Sequence, residues 1–229
     1  MAKSSKDLTP KTITEVEQTL SRTEQYLEKN YKTLLIGLGI IVAIVALIWL
    51  GKALLTKRSN EAQSQIYQAE KYLEMDMFDL ALNGDGNYLG FLDVAKNYKF
   101  TKAGNLAKYG AGISYLNLGE YRSAIEYLSK YSKKDKVLGS LAIGAIGDAY
   151  VELGDLEKGV AEYIKAANFA GNSFNTPIFL MKAGEIYELT GKYSDALKMY
   201  ERIENEYPSS NEGASIEKYI ARVKLLMNK

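Results

Sequence analysis

The 229-residue chain contains no cysteine and no histidine. Without cysteine there is no disulfide, no thiolate metal site and no lipid attached through a thiol, while the redox compartment stays open. Without histidine the usual general base near neutral pH and the commonest metal ligand are missing, so hydrolytic and zinc chemistry lose ground and only carboxylate chemistry remains in principle. A dominant charge is missing too: 29 Lys and Arg stand against 28 Asp and Glu, and residues 1–32 hold 6 and 5 of them. That balance does not point to nucleic acid, so any recognition has to be local. With 47% apolar and 25% charged residues, the composition fits a membrane anchor plus one folded domain. The expectation is a protein that is not an enzyme and takes no cofactor or metal.

What is present begins with a charge-free run, Thr33 to Gly51, nineteen residues between Lys32 and Lys52. As a helix it is about 28 Å long, close to the hydrocarbon thickness of a bilayer. A buried core helix seldom runs so long with only Thr33 mildly polar. Tyr31 and Trp49 lie near its two ends, where amphipathic rings favour the headgroup level, and Lys32 and Lys52 can snorkel outward. The run predicts a transmembrane helix over 33–55 in contact with membrane lipid. A cleaved signal peptide is the competitor, but the run exceeds the usual ~7–15 residue hydrophobic region, starts after 32 residues and has no small-residue cleavage site behind it. An uncleaved anchor is expected. Nearby charges do not orient it: Arg22, Lys29 and Lys32 precede it, and Lys52, Lys57, Arg58 and Lys71 follow. Gly39, Ala43 and Ala46 line one stripe at spacings of four and three, which either admits a second helix or reflects the ordinary abundance of small residues in such spans.

Residues 1–32 read as a tail plus a juxtamembrane helix. Met1 to Lys11 is polar, and Thr12 and Glu15 have capping-box spacing. Ile13, Val16, Leu20 and Leu27 share a face, which leaves both a solvated extension of the span and a partner-binding or interfacial helix open.

From Ser59 onward the chain repeats itself. Gly112, Tyr115, Gly119, Tyr121 and Ala124 recur as Gly147, Tyr150, Gly154, Leu156 and Gly159, then as Gly184, Tyr187, Gly191, Tyr193 and Ala196. Each set supplies a small residue where two helices touch, an aromatic partner, a glycine suited to positive φ at a helix end, and a small residue on the returning helix. Tyr127 or Leu128, Tyr163 and Tyr200 follow as large residues on that second helix, and Pro208 closes the last unit. Ala69, Tyr72, Asp76, Phe78 and Ala81 form a weaker earlier copy, set further from its neighbour by Gly84-Asp85-Gly86-Asn87. That surplus should lengthen the turn or split the second helix. It lacks the further oxygen ligands of a calcium loop. Residues 212–228 place Ile216, Tyr219, Ile220, Val223, Leu226 and Met227 on one broad face, as a capping helix would.

This pattern resembles the tetratricopeptide repeat. The fold expected is all-α: a single transmembrane helix followed by a tetratricopeptide-repeat α-solenoid over 59–229. Its units are read at about 62–101, 105–139, 140–176 and 177–210, with the capping helix at 212–228. Most of the 18 tyrosines then fill gaps between helices. Recognition in such solenoids usually uses the concave face made by the first helices. Counting from the signature glycines, the candidates are Leu106, Tyr109, Ile113 and Asn117, then Asp148 and Glu152, then Met181, Glu185 and Glu188. Their mixed apolar and acidic character suits an extended or incompletely folded polypeptide, though each also fits a merely solvated surface. Lys130, Lys133, Lys134 and Lys136 form a small basic turn without interleaved exposed aromatics, which does not suggest nucleic acid. Glu185 and Glu188 have no nucleophile or metal motif around them.

The whole layout, with residues 71–112 reading KYLEMDMFDLALNGDGNYLGFLDVAKNYKFTKAGNLAKYGAG, is similar to the ancillary subunit family of the bacterial SecYEG translocon, the YfgM-like proteins, in a form associated with Bacteroidota. The resemblance implies an inner-membrane anchor with a cytoplasmic N-terminus and a periplasmic repeat domain. It also implies SecYEG and a membrane-anchored periplasmic peptidyl-prolyl isomerase (PpiD-like) as partners, with translocating polypeptides as clients. A membrane-tethered scaffold for envelope assembly or cell division is the alternative, since the repeat identifies a fold more securely than a partner.

Overall fold

A computed structural model describes residues 10–228, with side chains for 24, 26, 27 and 29–228. The expected tail falls mostly outside the described residues, as do the side chains of Thr12 and Glu15. The first helix, α1, starts at Pro10 and runs to Glu74, so Thr12 stands inside it and not at its cap. Proline suits a first helical turn, where its missing N–H costs nothing. No proline follows in α1, and its glycines Gly37, Gly39 and Gly51 do not interrupt it. The lead helix, the apolar run and the first repeat helix are therefore parts of one element.

The chain divides into two compact units, with the boundary between Thr56 and Lys57. In the first, Leu34 to Leu50 are exposed apart from a half-buried Gly37. The stretch Lys29–Glu74 is long and apolar enough to cross a membrane, and its most apolar window is wholly exposed. A core helix would bury that window.

The second unit contains α2 (Phe78–Asn83), α3 (Phe91–Asn97), α4 (Lys102–Asn117), α5 (Tyr121–Lys130), α6 (Lys136–Glu152), α7 (Leu156–Ala170), α8 (Thr176–Leu189), α9 (Tyr193–Glu206) and α10 (Ile216–Met227), the last preceded by a 3₁₀ turn at Gly213–Ser215. Antiparallel pairs α4/α5, α6/α7 and α8/α9 stack in sequence, and α10 covers α9. Four tight turns share one design. A tyrosine carbonyl accepts from the amide five residues on, in Tyr72–Met77 (2.9 Å), Tyr115–Glu120 (2.9 Å), Tyr150–Asp155 (2.9 Å) and Tyr187–Lys192 (2.8 Å). The residue before each donor has positive φ: Asp76 at 56°, Gly119 at 78°, Gly154 at 80° and Gly191 at 72°. These are Schellman-type ends, where a left-handed residue lets the chain reverse and satisfies helix-terminal carbonyls.

The small signature residues set the helix spacing. A Cβ at Gly112 would lie 2.5 Å from Leu128, one at Gly147 2.8 Å from the Tyr163 ring, and one at Gly184 2.3 Å from the Tyr200 ring. Leu128, and not Tyr127, thus holds the large-residue place in its unit. Each first helix begins before the boundary read from the repeats. Thr101 accepts from the Gly104 amide, and Asp135 from those of Val137 and Leu138. These caps place the starts of α4 and α6 at Lys102 and Lys136, upstream of 105 and 140. In the earliest copy the second helix is split into α2 and α3. Gly84 and Leu89 pair as an isolated antiparallel bridge, and the Asp85 carboxylate accepts from the amides of Asn87 and Tyr88 and from the Tyr72 hydroxyl. Those bonds hold the Asp85 carboxyl below its ordinary value, the Tyr88 amide foremost.

Candidate partner-binding face of the solenoid

The nine expected groove residues divide three ways. Leu106, Tyr109, Ile113 and Met181 are half-buried and packed against the hydrophobic clusters of the solenoid. Tyr109 lies 5.6 Å, centroid to centroid, from Tyr131, and burial pushes its phenol up. These four chiefly hold helices together.

Asp148 and Glu188 are occupied. Asp148 accepts from the Tyr163 hydroxyl and the Lys182 ammonium, each at 2.6 Å. Glu188 accepts from the Tyr200 hydroxyl at 3.1 Å and pairs with the Arg222 guanidinium at 2.6 Å. The two arrangements share a plan, although Asp148 follows Gly147 by one residue and Glu188 follows Gly184 by four. The second helix of a unit delivers a buried tyrosine, whose ring rests on the signature glycine of the first helix and whose hydroxyl needs an acceptor. A carboxylate on that first helix accepts, and a cation 34 residues on in both cases, Lys182 on α8 or Arg222 on the capping helix α10, balances it. Burial, reinforced by the carboxylates, drives the phenols of Tyr163 and Tyr200 far above their ordinary value. Both hydroxyls therefore stay donors further into alkaline solution than an ordinary phenol does.

Asn117, Glu152 and Glu185 remain exposed. The Asn117 amide donates to its own helix at Ile113, and Glu152 takes a long 3.3 Å bond from the Tyr121 hydroxyl. Glu185 sits at the rim of a depression of about 370 Å³ with Glu188, Leu189 and Arg222. Of the nine expected positions, these three, on α4, α6 and α8, are the ones that stay in solvent. Among the described residues, no group of three His, Cys, Asp or Glu is arranged to hold a metal ion.

Sequence reasoning did not find Lys182 and Arg222 as lock members. Their signal was the 34-residue step from each carboxylate, close to one repeat. The basic turn also resolves into parts. Lys130 pairs with Glu126. Lys133 donates to the carbonyls of Leu128 (2.8 Å) and Tyr131 (3.3 Å) at the end of α5, and burial, aided by Lys165, holds it below the ordinary lysine value. Lys136 donates to the Phe169 carbonyl at 3.0 Å and lies 4.7 Å over that ring. In the first unit, Gly39, Ala43 and Ala46 are exposed, and nothing lies within 4 Å of a Cβ placed on Gly39.

Comparisons with known proteins agree with this architecture. Residues 106–135 and 179–210 match one tetratricopeptide-repeat family profile, and residues 142–172 match a second. The chain is also similar to the protein FLUORESCENT IN BLUE LIGHT, chloroplastic, of Arabidopsis thaliana, 40% identical over 73 residues, which is 29% of this chain and 23% of the plant protein. The chain is thus a tetratricopeptide-repeat, largely α-helical protein with one candidate membrane-spanning helix near its N-terminus.

Proposed function

We propose that the protein is a non-enzymatic, membrane-anchored scaffold that recognises polypeptides, and that it serves the Sec export machinery as an accessory of the SecYEG translocon. In that role it links the channel to a membrane-anchored periplasmic peptidyl-prolyl isomerase of the PpiD-like kind. Translocating chains are the clients, the N-terminus is cytoplasmic and the repeat domain is periplasmic. The observation that carries the scaffold reading is the coexistence, on one chain, of a wholly exposed apolar span and a solenoid whose first helices keep Asn117, Glu152 and Glu185 in solvent. Repeats of this kind present an extended surface built from successive units, suited to polypeptide partners. The Sec assignment rests on the resemblance of the layout to the YfgM-like family. The plant relative lends this assignment nothing, because the similarity spans under a quarter of that protein.

Two experiments test the proposal. A reporter fused after Lys229 and active only outside the cytoplasm should be active, and a cytoplasmic signal would defeat the topology and the role together. Affinity purification in mild detergent should recover translocon and isomerase. Consistent recovery of envelope-assembly or division proteins in their place would move the scaffold to that alternative.

A further inference from the structure

The loop leading into α4 and the loop between α5 and α6 enclose a depression of about 630 Å³, within the about 300–1,000 Å³ of ligand-sized sites. Both loops belong to the same edge of the solenoid, where first helices start. The first turns of α4 are fastened to the second loop: the Asn105 side chain accepts from the Ser132 amide at 2.8 Å and donates to the Ser132 carbonyl at 3.3 Å. Leu106 and Tyr131 give the depression apolar lining, and both are held by the core behind it. The shape is therefore set before any ligand arrives.

The charge of the lining is one-sided. Lys99, Lys102, Lys108 and Lys134 all border it, and among the described residues none of these four forms an ion pair with a carboxylate. A fifth lysine, Lys130, is already paired with Glu126. The one acid in the lining, Asp135, accepts from two backbone amides as the cap of α6. Phe100 stands beside these lysines with 79% of its surface exposed, and the Lys99 ammonium lies 4.8 Å from its ring centre. Clustered cations raise the local concentration of an anionic ligand, and an exposed phenylalanine next to them adds an apolar contact.

We infer that this depression is a docking site for an acidic polypeptide segment carrying an apolar side chain, which binds at the loop edge and not on the first-helix face. The inference does not depend on the Sec assignment. Concavity favours a peptide over a bilayer surface: a side chain reaches the Leu106 and Tyr131 lining, whereas a flat layer of headgroups meets only the rim.

The test uses the full chain in neutral-lipid nanodiscs and a fluorescently labelled glutamate-rich peptide with a central leucine, with its all-glutamine counterpart as control. Binding by fluorescence anisotropy is expected for the glutamate peptide alone and should weaken with salt. Lys99→Glu combined with Lys102→Glu and Lys134→Glu should weaken it by roughly tenfold or more, equal to about 1.4 kcal/mol. Phe100→Ser should weaken it by a smaller factor, and Lys198→Glu on α9 should leave it unchanged. Should the triple variant misfold, Lys134→Gln with Phe100→Ser carries the same prediction through two exposed positions. Equal binding by both peptides, or by parent and variants, overturns the proposal. So does lysine-dependent capture of added phosphatidylglycerol vesicles without peptide binding, which would assign the depression to lipid headgroups.

Discussion

At Gly112 the second helix of the repeat delivers Leu128, whereas at Gly147 and Gly184 it delivers Tyr163 and Tyr200. The steric task is the same in all three units, a large side chain against a missing one. The consequences differ. Around Leu128 the seam is apolar: Tyr131, Ala142, Ala145 and Ile146 are buried, and Tyr109, Ile113, Leu116 and Ile125 pack against them. Where a tyrosine does the packing its hydroxyl must be satisfied, so Asp148 and Glu188 are drawn in, and Lys182 on α8 and Arg222 on the capping helix α10 complete the sets. An aromatic choice on one helix thereby specifies a polar link between units. The lesson for recognition is that two of the acids pointing along the first-helix face are already committed, and only their neighbours are open to a partner.

The comparison can be broken most forcefully at its packing contacts. Leu128→Ala opens a cavity at a fully buried position and should cost about 2–5 kcal/mol, measured by urea unfolding followed through near-UV circular dichroism. Gly184→Ala sets a methyl 2.3 Å from the Tyr200 ring and should cost about 1–3 kcal/mol by overpacking. If both changes are silent, the small-against-large account of the repeat is wrong.

The polar side of the comparison predicts smaller effects. Asp148→Leu leaves the Tyr163 hydroxyl and Lys182 without their acceptor and should cost about 1–3 kcal/mol. Tyr163→Phe should cost less, because Lys182 still pairs with Asp148. Alkaline titration separates the seams without cavities. The phenols of Tyr163 and Tyr200 are raised by burial first and by their carboxylates second. The unfolded chain therefore releases these protons earlier, near pH 10. The stability these two groups contribute should be level below about pH 10 and fall as pH climbs above it. In Tyr163→Phe combined with Tyr200→Phe that fall should be shallower, and an unchanged slope would show that the two hydroxyls do not differ between folded and unfolded states. The smallest effect belongs to the Lys182–Asp148 pair. Its side chains are 39% and 32% exposed, so a double-mutant cycle should give a coupling of about 0.2–1 kcal/mol that shrinks with salt.

Much of this architecture was legible in the chain because it depends on local rules. Gly119, Gly154 and Gly191 mark turns that need positive φ, and Asp76 fills the same place in the weaker copy. Gly84 to Asn87 announced an insertion, and it splits α2 from α3. What escaped depends on distance. Repeat spacing does not reveal that Thr101 and Asp135 start their helices early, because a cap is a side-chain bond and not a period. Nor does it show that Asp148 meets Lys182 or that Lys99 and Phe100 border the same depression as Lys134, since those partners come together only when units stack. The sequence pattern predicts a span ending at 55 and repeats starting at 59, and α1 continues through both because no proline interrupts it there.

The central proposal is that exposed first-helix positions, Glu152 and Glu185 near the occupied carboxylates and Asn117 in the unit that has none, recognise polypeptides while the chain is anchored in its membrane. Photo-crosslinking amino acids placed singly at Asn117, Glu152 and Glu185, and at Lys198 on α9 for comparison, test it in the full chain in its native membrane. Strong adducts with translocon components or translocating chains from the first three positions, and little from the fourth, are the predicted result. Equal yields from all four positions, or no polypeptide adduct from the first three, would contradict it.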